Sequence, residues 1–257
     1  MKQLKDMTVA EASHPHPRYV LLKLTDSTPL PDITPGQFVQ VKVEGSPSTF
    51  LRRPISINYV DKEKNQIWLL IQTVGEGTKK LAELKEGDKL NILFPLGNGF
   101  SPIKANGERV LLVGGGVGVA PLLDYGRYLK ENGAVPVFLL GARSKNDLLE
   151  LDLFKSIGDL HITTEDGSEG EKGFVTQHSI LTNTHFDRIS TCGPKPMMVA
   201  VAKFAKANNI PCEVSLENMM ACGLGACLCC VEKTVKGNVC VCKEGPVFNI
   251  EDLTWQI

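Results

Sequence analysis

The sequence RVLLVGGGVGVAP, residues 109–121, joins a short apolar strand to a glycine-rich turn and the start of a helix. Glycines let the backbone approach a diphosphate, and free amides at a helix N-terminus favour an anion. Pro121 stands where common dinucleotide folds have a third glycine, and it is tolerated because the first helical turn needs no amide donor there. The pattern predicts nucleotide binding, with a tight packing turn as the alternative, at Gly114, Gly115, Gly116, Gly118 and Pro121.

Apolar runs alternate with helical spacing throughout the residues that follow this turn. We predict helices at 120–132 and 196–208 because apolar residues recur there three or four apart. Strands are predicted at 109–113, 135–140, 159–163, 187–191 and 211–216. This alternation is typical of βαβ units and a parallel sheet.

The first hundred residues have a different pattern, with short strands separated by proline and glycine. A single short helix is predicted at 78–84. The predicted strands are 18–24, 37–43, 54–60, 67–73 and 89–94. Many short strands with almost no helix indicate a small antiparallel barrel.

Length and charge limit the possible classes of protein. The 257 residues favour two domains over one. The 28 basic residues nearly balance the 29 acidic ones, which argues against a nucleic-acid partner bound by bulk positive charge. The N-terminus lacks the apolar core of a secretory signal, and no uncharged stretch is long enough to span a bilayer. We expect a cytoplasmic protein that does not bind a membrane.

Six of the eight cysteines fall between positions 222 and 242. Cys222, Cys227 and Cys230 have the spacing C-x4-C-x2-C, and Cys242 follows at a distance, which is the plant-type arrangement for a [2Fe–2S] cluster. A zinc site is the alternative, although zinc sites usually consist of two close cysteine pairs. Cys240 competes with Cys242 as the fourth ligand.

Two further segments carry candidate binding residues in the N-terminal part. Arg53 and Ser56 lie in the sequence RRPIS, where a guanidinium fits a phosphate and a hydroxyl fits a heterocycle nitrogen. The sequence GEGT, residues 75–78, offers backbone amides to a diphosphate. Solvated arginines and an ordinary turn are the alternative interpretation.

Cys192 lies where a predicted strand ends, in the sequence TCGPKPMM, residues 191–198. Parallel sheets bind their ligands at the carboxyl ends of the strands, so Cys192 is a candidate cofactor neighbour. A small buried cysteine is the alternative.

Together these motifs resemble the ferredoxin-NADP reductase superfamily. Within it the chain is most similar to the iron–sulfur flavoprotein subunits of class 1B dihydroorotate dehydrogenases. The resemblance covers essentially the whole chain, because RRPIS, GEGT, PLGNGF, GGGVGVAP, CGPKPMM and the cysteine segment occur in the family's order. It implies a β plus α/β fold: an antiparallel six-stranded flavin-binding barrel (1–102), a parallel-sheet NAD-binding lobe (103–216) and an iron–sulfur segment (217–257).

The resemblance also implies the roles of individual residues. Ile55 stands where the superfamily prefers a tyrosine stacked on the flavin. FAD is expected at Arg53, Pro54, Ile55, Ser56, Leu70, Ile71, Gln72, Gly77 and Thr78. NAD is expected at the glycine-rich turn with Cys192, Gly193 and Pro194, Cys192 lying near the nicotinamide. Cluster ligands are expected at Cys222, Cys227, Cys230 and Cys242.

In that family, electrons pass from dihydroorotate at an FMN-containing catalytic subunit through the cluster and FAD to NAD+, in pyrimidine biosynthesis. The resemblance implies this partner, in a heterotetramer with two copies of each subunit. Related subunits serve sulfide dehydrogenase, transhydrogenase and hydrogenase complexes, and a zinc-stapled binding protein is a third hypothesis. Glu165 and Asp166 disfavour the 2′-phosphate of NADP, whereas Arg143 favours it.

Overall fold

In the computed structural model, which describes residues 1–255, the N-terminal part folds into a sheet of seven strands. Along the chain these are β1 (Gln3–His16), β2 (Tyr19–Thr25), β3 (Phe38–Val41), β4 (Arg53–Ser56), β5 (Tyr59–Asp61), β6 (Gln66–Gln72) and β7 (Lys89–Leu96). The order in the sheet is β4-β3-β7-β1-β2-β6-β5, with every pair antiparallel. Helix α1 (Glu76–Leu81) follows β6. Alternate side chains such as Val39, Val41 and Ile71 point into a shared apolar core.

The sheet is antiparallel as predicted, but it has seven strands where six were expected. The predicted strand 54–60 is divided because its backbone changes partner at Ile57 and Asn58. The amide of Ile57 donates to Gln37 O at 3.0 Å, whereas the amide of Asn58 donates to Trp68 O at 2.9 Å. The segment therefore leaves β3 and joins β6.

The second sheet contains the strands of the glycine-rich turn. These are β8 (Arg109–Gly115), β9 (Val135–Ala142), β10 (Asp159–Thr164), β11 (Glu171–Lys172), β12 (Arg188–Cys192), β13 (Cys212–Ser215) and β16 (Val247–Asn249), in the order β11-β10-β9-β8-β12-β13-β16. The pairs are parallel except β13 with β16, which is antiparallel. The predicted parallel sheet is confirmed, and its strand order reverses between β8 and β12.

Helices connect these parallel strands: α2 (Ala120–Glu131), α3 (Leu151–Ile157), α4 (Ile180–Asn183) and α5 (Lys195–Ala207). The apolar periodicity predicted α2 and α5, whereas α3 and α4 were not predicted. The cysteine segment adds the hairpin β14 (Val231–Thr234) and β15 (Gly237–Cys240), and then helix α6 (Val241–Glu244). Within residues 1–255 no helix is long and apolar enough to cross a membrane.

The chain packs as two units that do not follow its linear order. The first contains Met1–Gly99, Asn218–Glu232 and Asn238–Pro246. The second contains Phe100–Glu217, Lys233–Gly237 and the described residues from 247 onward. All six clustered cysteines therefore belong to the unit of the N-terminal sheet. The division into three cofactor segments at 102 and 216 stays a prediction.

Candidate functional sites

The cysteine loop, residues 222–230, turns its backbone amides toward sulfur. The amide of Leu224 donates to Cys222 Sγ at 3.3 Å, and the amide of Gly225 donates to Cys242 Sγ at 3.1 Å. Gly223 and Gly225 have φ values of +70° and +82°, which residues other than glycine rarely adopt. The two glycines thus allow the loop to direct its amides inward, where they stabilise thiolates.

The four predicted ligands lie in this one unit, and their side chains interact with one another. The Cys222 thiol interacts with that of Cys227, and the Cys242 thiol with those of Cys230 and Cys222, while the Cys240 thiol also interacts with that of Cys230. Among the residues that the structure describes, no three cysteine, histidine or carboxylate side chains are placed to hold one metal ion. A two-iron cluster, in which each iron takes two protein ligands, needs no three thiols at one metal ion.

The environments of these thiols differ. The hydrogen bond that the Leu224 amide donates lowers the pKa of Cys222 to about 6, which favours the thiolate. Burial raises the pKa of Cys242 to about 12, and iron would offset this because a coordinating thiol is deprotonated outright. The thiol of Cys240 contacts the carbonyl oxygen of Gly225 at 3.7 Å, and that of Cys229 contacts Met219 O at 3.6 Å.

The structure brings together the two N-terminal candidate segments. Arg53 begins β4, and a Cβ placed on Gly77 of α1 would lie 3.2 Å from Arg53 Nε and 2.9 Å from Thr49 Cγ2. Thr78 Oγ1 accepts hydrogen bonds from the amides of Val74 and Gly75 at 3.0 and 3.1 Å and so holds the turn closed. A cation beside a glycine turn fits a diphosphate.

Strand alternation separates the three flavin-lining candidates of β6. Ile71 belongs to the apolar core of the sheet, so its side chain points inward. Leu70 and Gln72 lie on the opposite face. Ile55 also packs against the core from its place on β4. At Ile71 only the backbone is therefore positioned to meet a bound ring, and the FAD site as a whole stays a prediction.

The glycine-rich turn and the CGPKPMM segment meet at the point where the strand order reverses. Cys192, the last residue of β12, pairs with Gly114 of β8. Pro121 lies in the first turn of α2, and Pro194 precedes α5. Ligands of open α/β sheets bind at such a reversal, outside the carboxyl ends of the strands.

Two of these glycines are needed for packing between the loops. A Cβ on Gly118 would lie 2.5 Å from both Cys192 O and Gly193 Cα, and one on Gly115 would lie 2.6 Å from Met197 Sδ. Gly116 differs, because it has a φ of +57° and nothing lies within 4 Å of its Cβ position. Packing therefore accounts for Gly115 and Gly118, whereas Gly116 faces open space, and nucleotide binding at this turn stays a prediction.

Cys192 is fully buried, and its surroundings were not predicted from the sequence. Burial raises the pKa of its thiol, which also interacts with the hydroxyl of Ser215 and the charge of Glu217. Burial likewise raises the pKa of Glu217. Ser215 and Glu217 could have been found from their place at the end of the predicted strand 211–216.

Buried Gln40 is a second residue that sequence reasoning missed. It alternates with apolar residues in QFVQVKV, and nothing in that pattern marks it as a site residue. Its exposure is 0%. Only the packing of the cysteine loop on this face of β3 reveals that the position is buried.

Comparison with known proteins places these sites among oxidoreductases. Residues 217–254 match the iron-sulfur cluster binding domain of dihydroorotate dehydrogenase B, and residues 112–203 match the oxidoreductase NAD-binding domain. The chain is 40% identical to the electron transfer subunit of dihydroorotate dehydrogenase B (NAD(+)) from Bacillus pumilus, over 86% of each chain. It is 43% identical to that from Shouchella clausii, over 85% of this chain and 86% of the other.

Solved structures give the same fold. A chain of the NADH-dependent reduced ferredoxin-NADP oxidoreductase, studied for flavin-based electron bifurcation, superposes with a TM-score of 0.87 at 29% identity, over 97% of this chain and 90% of that one. Phthalate dioxygenase reductase superposes with a TM-score of 0.67 at 16% identity, over 93% and 94%. The second likeness concerns the fold alone.

Proposed function

This chain belongs to the family of electron transfer subunits of dihydroorotate dehydrogenase B, and we propose that it performs this transfer with the residues described above. Its cofactors are a [2Fe–2S] cluster, FAD and NAD, and its partner is the catalytic subunit that oxidises dihydroorotate. Electrons leave that partner, pass through the cluster and FAD, and reduce NAD+, in pyrimidine biosynthesis. We further propose that the partner holds FMN and that the assembly contains two copies of each subunit.

The observation that carries the proposal is that backbone amides donate to the sulfurs of Cys222, Cys230 and Cys242. Cys222 with Cys227, and Cys230 with Cys242, would each hold one iron. Amide donors at 3.1 to 3.4 Å from three of these sulfurs would stabilise their negative charge.

The protein contributes placement and charge to the transfer. Bound FAD exchanges electron pairs with NAD and single electrons with the cluster. Arg53 and the turn at Gly77 would bind the diphosphate of FAD. Ser56, which ends the same strand as Arg53, would offer its hydroxyl to a nitrogen of the flavin. The raised pKa of Cys192 keeps its thiol protonated, so it adds no negative charge beside the nicotinamide.

The residues after β10 support NAD as the nucleotide. The amides of Glu165 and Asp166 donate to Ala142 O and Arg143 O at 3.1 and 3.2 Å, which places this acidic pair next to the end of β9. Hydrogen bonds from Ser168 lower the pKa of Asp166, so the carboxylate stays ionised. A 2′-phosphate would be repelled there.

We also propose that the subunit works in the cytoplasm. All eight cysteines are free thiols, and the four proposed ligands must remain reduced to bind iron. Thiols persist in the reducing cytosol and are oxidised to disulfides in secreted proteins.

The test is an absorption spectrum with iron, sulfide and flavin analysis of the protein purified under anaerobic conditions with its partner. We expect a brown-yellow complex with two irons, two labile sulfides and one FAD per chain, which reduces NAD+ when dihydroorotate is added. A colourless protein loaded with zinc, or one that oxidises no NADH with any acceptor despite bound FAD, would overturn the proposal.

A second candidate is a related subunit of an electron-bifurcating complex. The observation that favours this candidate is the TM-score of 0.87 with the NADH-dependent reduced ferredoxin-NADP oxidoreductase chain. Co-purification distinguishes the two, because only the first predicts a partner that oxidises dihydroorotate.

A further inference from the structure

Gln40, in the middle of β3, has a buried side-chain amide that no group within the described residues 1–255 satisfies. The residue is 0% exposed, and neither Nε2 nor Oε1 has a hydrogen-bond partner in that part of the chain. Burying a polar group without a hydrogen bond is unfavourable. Buried amides in native proteins are nearly always paired, so the orphaned carboxamide points to a partner that is not part of the polypeptide.

The side chain of Gln40 points away from the apolar core and toward the cysteine loop. Val39 and Val41, on either side of it, lie in the core, so alternation places Gln40 on the opposite face. The loop backbone covers it there: a Cβ on Gly223 would lie 2.7 Å from Gln40 Cγ and 3.1 Å from Gln40 Nε2. Only glycine lets the loop approach so closely.

Gly223 directly follows the proposed ligand Cys222. The next amide, from Leu224, turns back to donate to Cys222 Sγ at 3.3 Å. The carboxamide of Gln40 thus lies beside the segment that begins with the proposed ligand Cys222. On its other side Gln40 pairs with Pro54 of β4, the strand proposed to line FAD.

We propose that Gln40 Nε2 donates a hydrogen bond to an inorganic sulfide of the cluster and so raises the cluster's reduction potential. This inference rests on the proposed function. Reduction places additional negative charge on the sulfurs, and a donor stabilises the reduced form more than the oxidised form. Gln40 is thereby a positioning residue that acts through the cluster.

The first test is Gln40→Met, which keeps the length of the side chain and removes the donor. In the purified complex, a redox titration followed by electron paramagnetic resonance should show cluster reduction disfavoured by about tenfold, a fall of about 59 mV for one electron. The matched control is Gln37→Met, just before β3, because the Gln37 carboxamide is already bonded to Gly97 O at 2.7 Å and to the amide of Thr34 at 2.8 Å. The control should leave the potential unchanged.

The second test uses the unaltered chain and does not depend on the folding of a variant. Protein made with glutamine labelled with ¹⁵N in its side chain should show a ¹⁵N coupling in pulsed electron paramagnetic resonance of the reduced cluster. A cluster with full iron and sulfide but without this coupling, or an unchanged potential in Gln40→Met, would overturn the inference. A preparation without iron and sulfide would instead overturn the proposed function.

Discussion

Cys240 and Cys242 are two positions apart, yet their sulfur atoms meet opposite kinds of backbone group. Cys242 Sγ accepts a hydrogen bond from the amide of Gly225 at 3.1 Å, whereas Cys240 Sγ lies 3.7 Å from the carbonyl oxygen of the same residue. An amide stabilises a thiolate, but a carbonyl oxygen repels one. The backbone groups around the two sulfurs therefore favour Cys242 over Cys240 as the ligand.

We accordingly expect Cys242→Ser to abolish the visible absorption bands of the cluster and Cys240→Ser to retain them. Iron content per chain should fall in the first variant and stay at two in the second. The reverse pattern would show that Cys240 is the fourth ligand, so the two variants serve as controls for each other.

Asp26 gives a prediction for the pH dependence of stability. Its hydrogen bonds with Lys5 and then Thr28 lower its pKa from 3.8 to about 2. Because the folded-state pKa lies below the unfolded one, this contribution is present above pH 4 and is lost as pH falls toward 2. The pair is near the surface, so we expect Asp26→Asn to cost about 0.5–1 kcal/mol at pH 7.

The measurement is the difference in unfolding free energy between the two proteins at pH 7, 4 and 2.5. The difference should shrink over this series. A gap that stays constant down to pH 2.5 would mean that the charge of Asp26 is not its source.

At the scale of elements, the sequence predicted the alternating strands and helices because burial on both faces leaves a continuous apolar run. It did not predict β1, a central strand between β7 and β2. In β1 only Met7 and Val9 are fully buried, among charged and small residues. β16 was missed for a different reason. This segment has only three residues, and it is a strand because it pairs with β13.

The candidate sites follow the same distinction. The cysteine spacing and the glycine-rich turn are local patterns, so the sequence showed them. Gln40 became a candidate only through Gly223, and the contact of Glu217 with Cys192 likewise joins residues distant in sequence. Their environments depend on tertiary packing, which a single sequence does not display.

Arg188, the first residue of β12, links that strand to the loop before β8 through its side chain. Arg188 is 2% exposed and lies 3.2 Å from Glu108, which is also buried. It donates further to the carbonyl oxygens of Ser101 and Pro102, each at 3.2 Å. Removing one partner of such a pair leaves an uncompensated charge in the interior.

Arg188→Met should therefore lower the free energy of unfolding by about 3–5 kcal/mol. Arg188→Met combined with Glu108→Met should cost less, because neither charge remains buried alone. Urea unfolding followed by circular dichroism measures both. If the double variant is as unstable as the single one, the loss comes from packing or from the carbonyl contacts and not from the unpaired carboxylate.

At the scale of the whole molecule, the cysteine segment contributes little apolar surface of its own to the unit of the N-terminal sheet. Met220, Cys230, Val241 and Cys242 are buried, but Met219, Leu224 and Leu228 are exposed by 83%, 45% and 65%. So small a segment cannot offset the entropy of ordering its backbone, about 1–2 kcal/mol per residue. Metal–thiolate bonds would supply the missing free energy, as they do in small metal-dependent domains.

Removing the cluster with a chelator under reducing conditions should therefore increase hydrogen exchange in Asn218–Glu232 and Asn238–Pro246. Amides of β1, β2 and β6 should stay protected, because their core of Val20, Leu22 and Leu69 contains no cysteine. Mass spectrometry of the holo and apo forms, each with FAD retained, measures this by peptide. Equal protection of the cysteine segment in both forms would show that its packing against the sheet is sufficient without metal. Loss of protection throughout the unit would instead show that the sheet and the cluster loop fold as one cooperative structure.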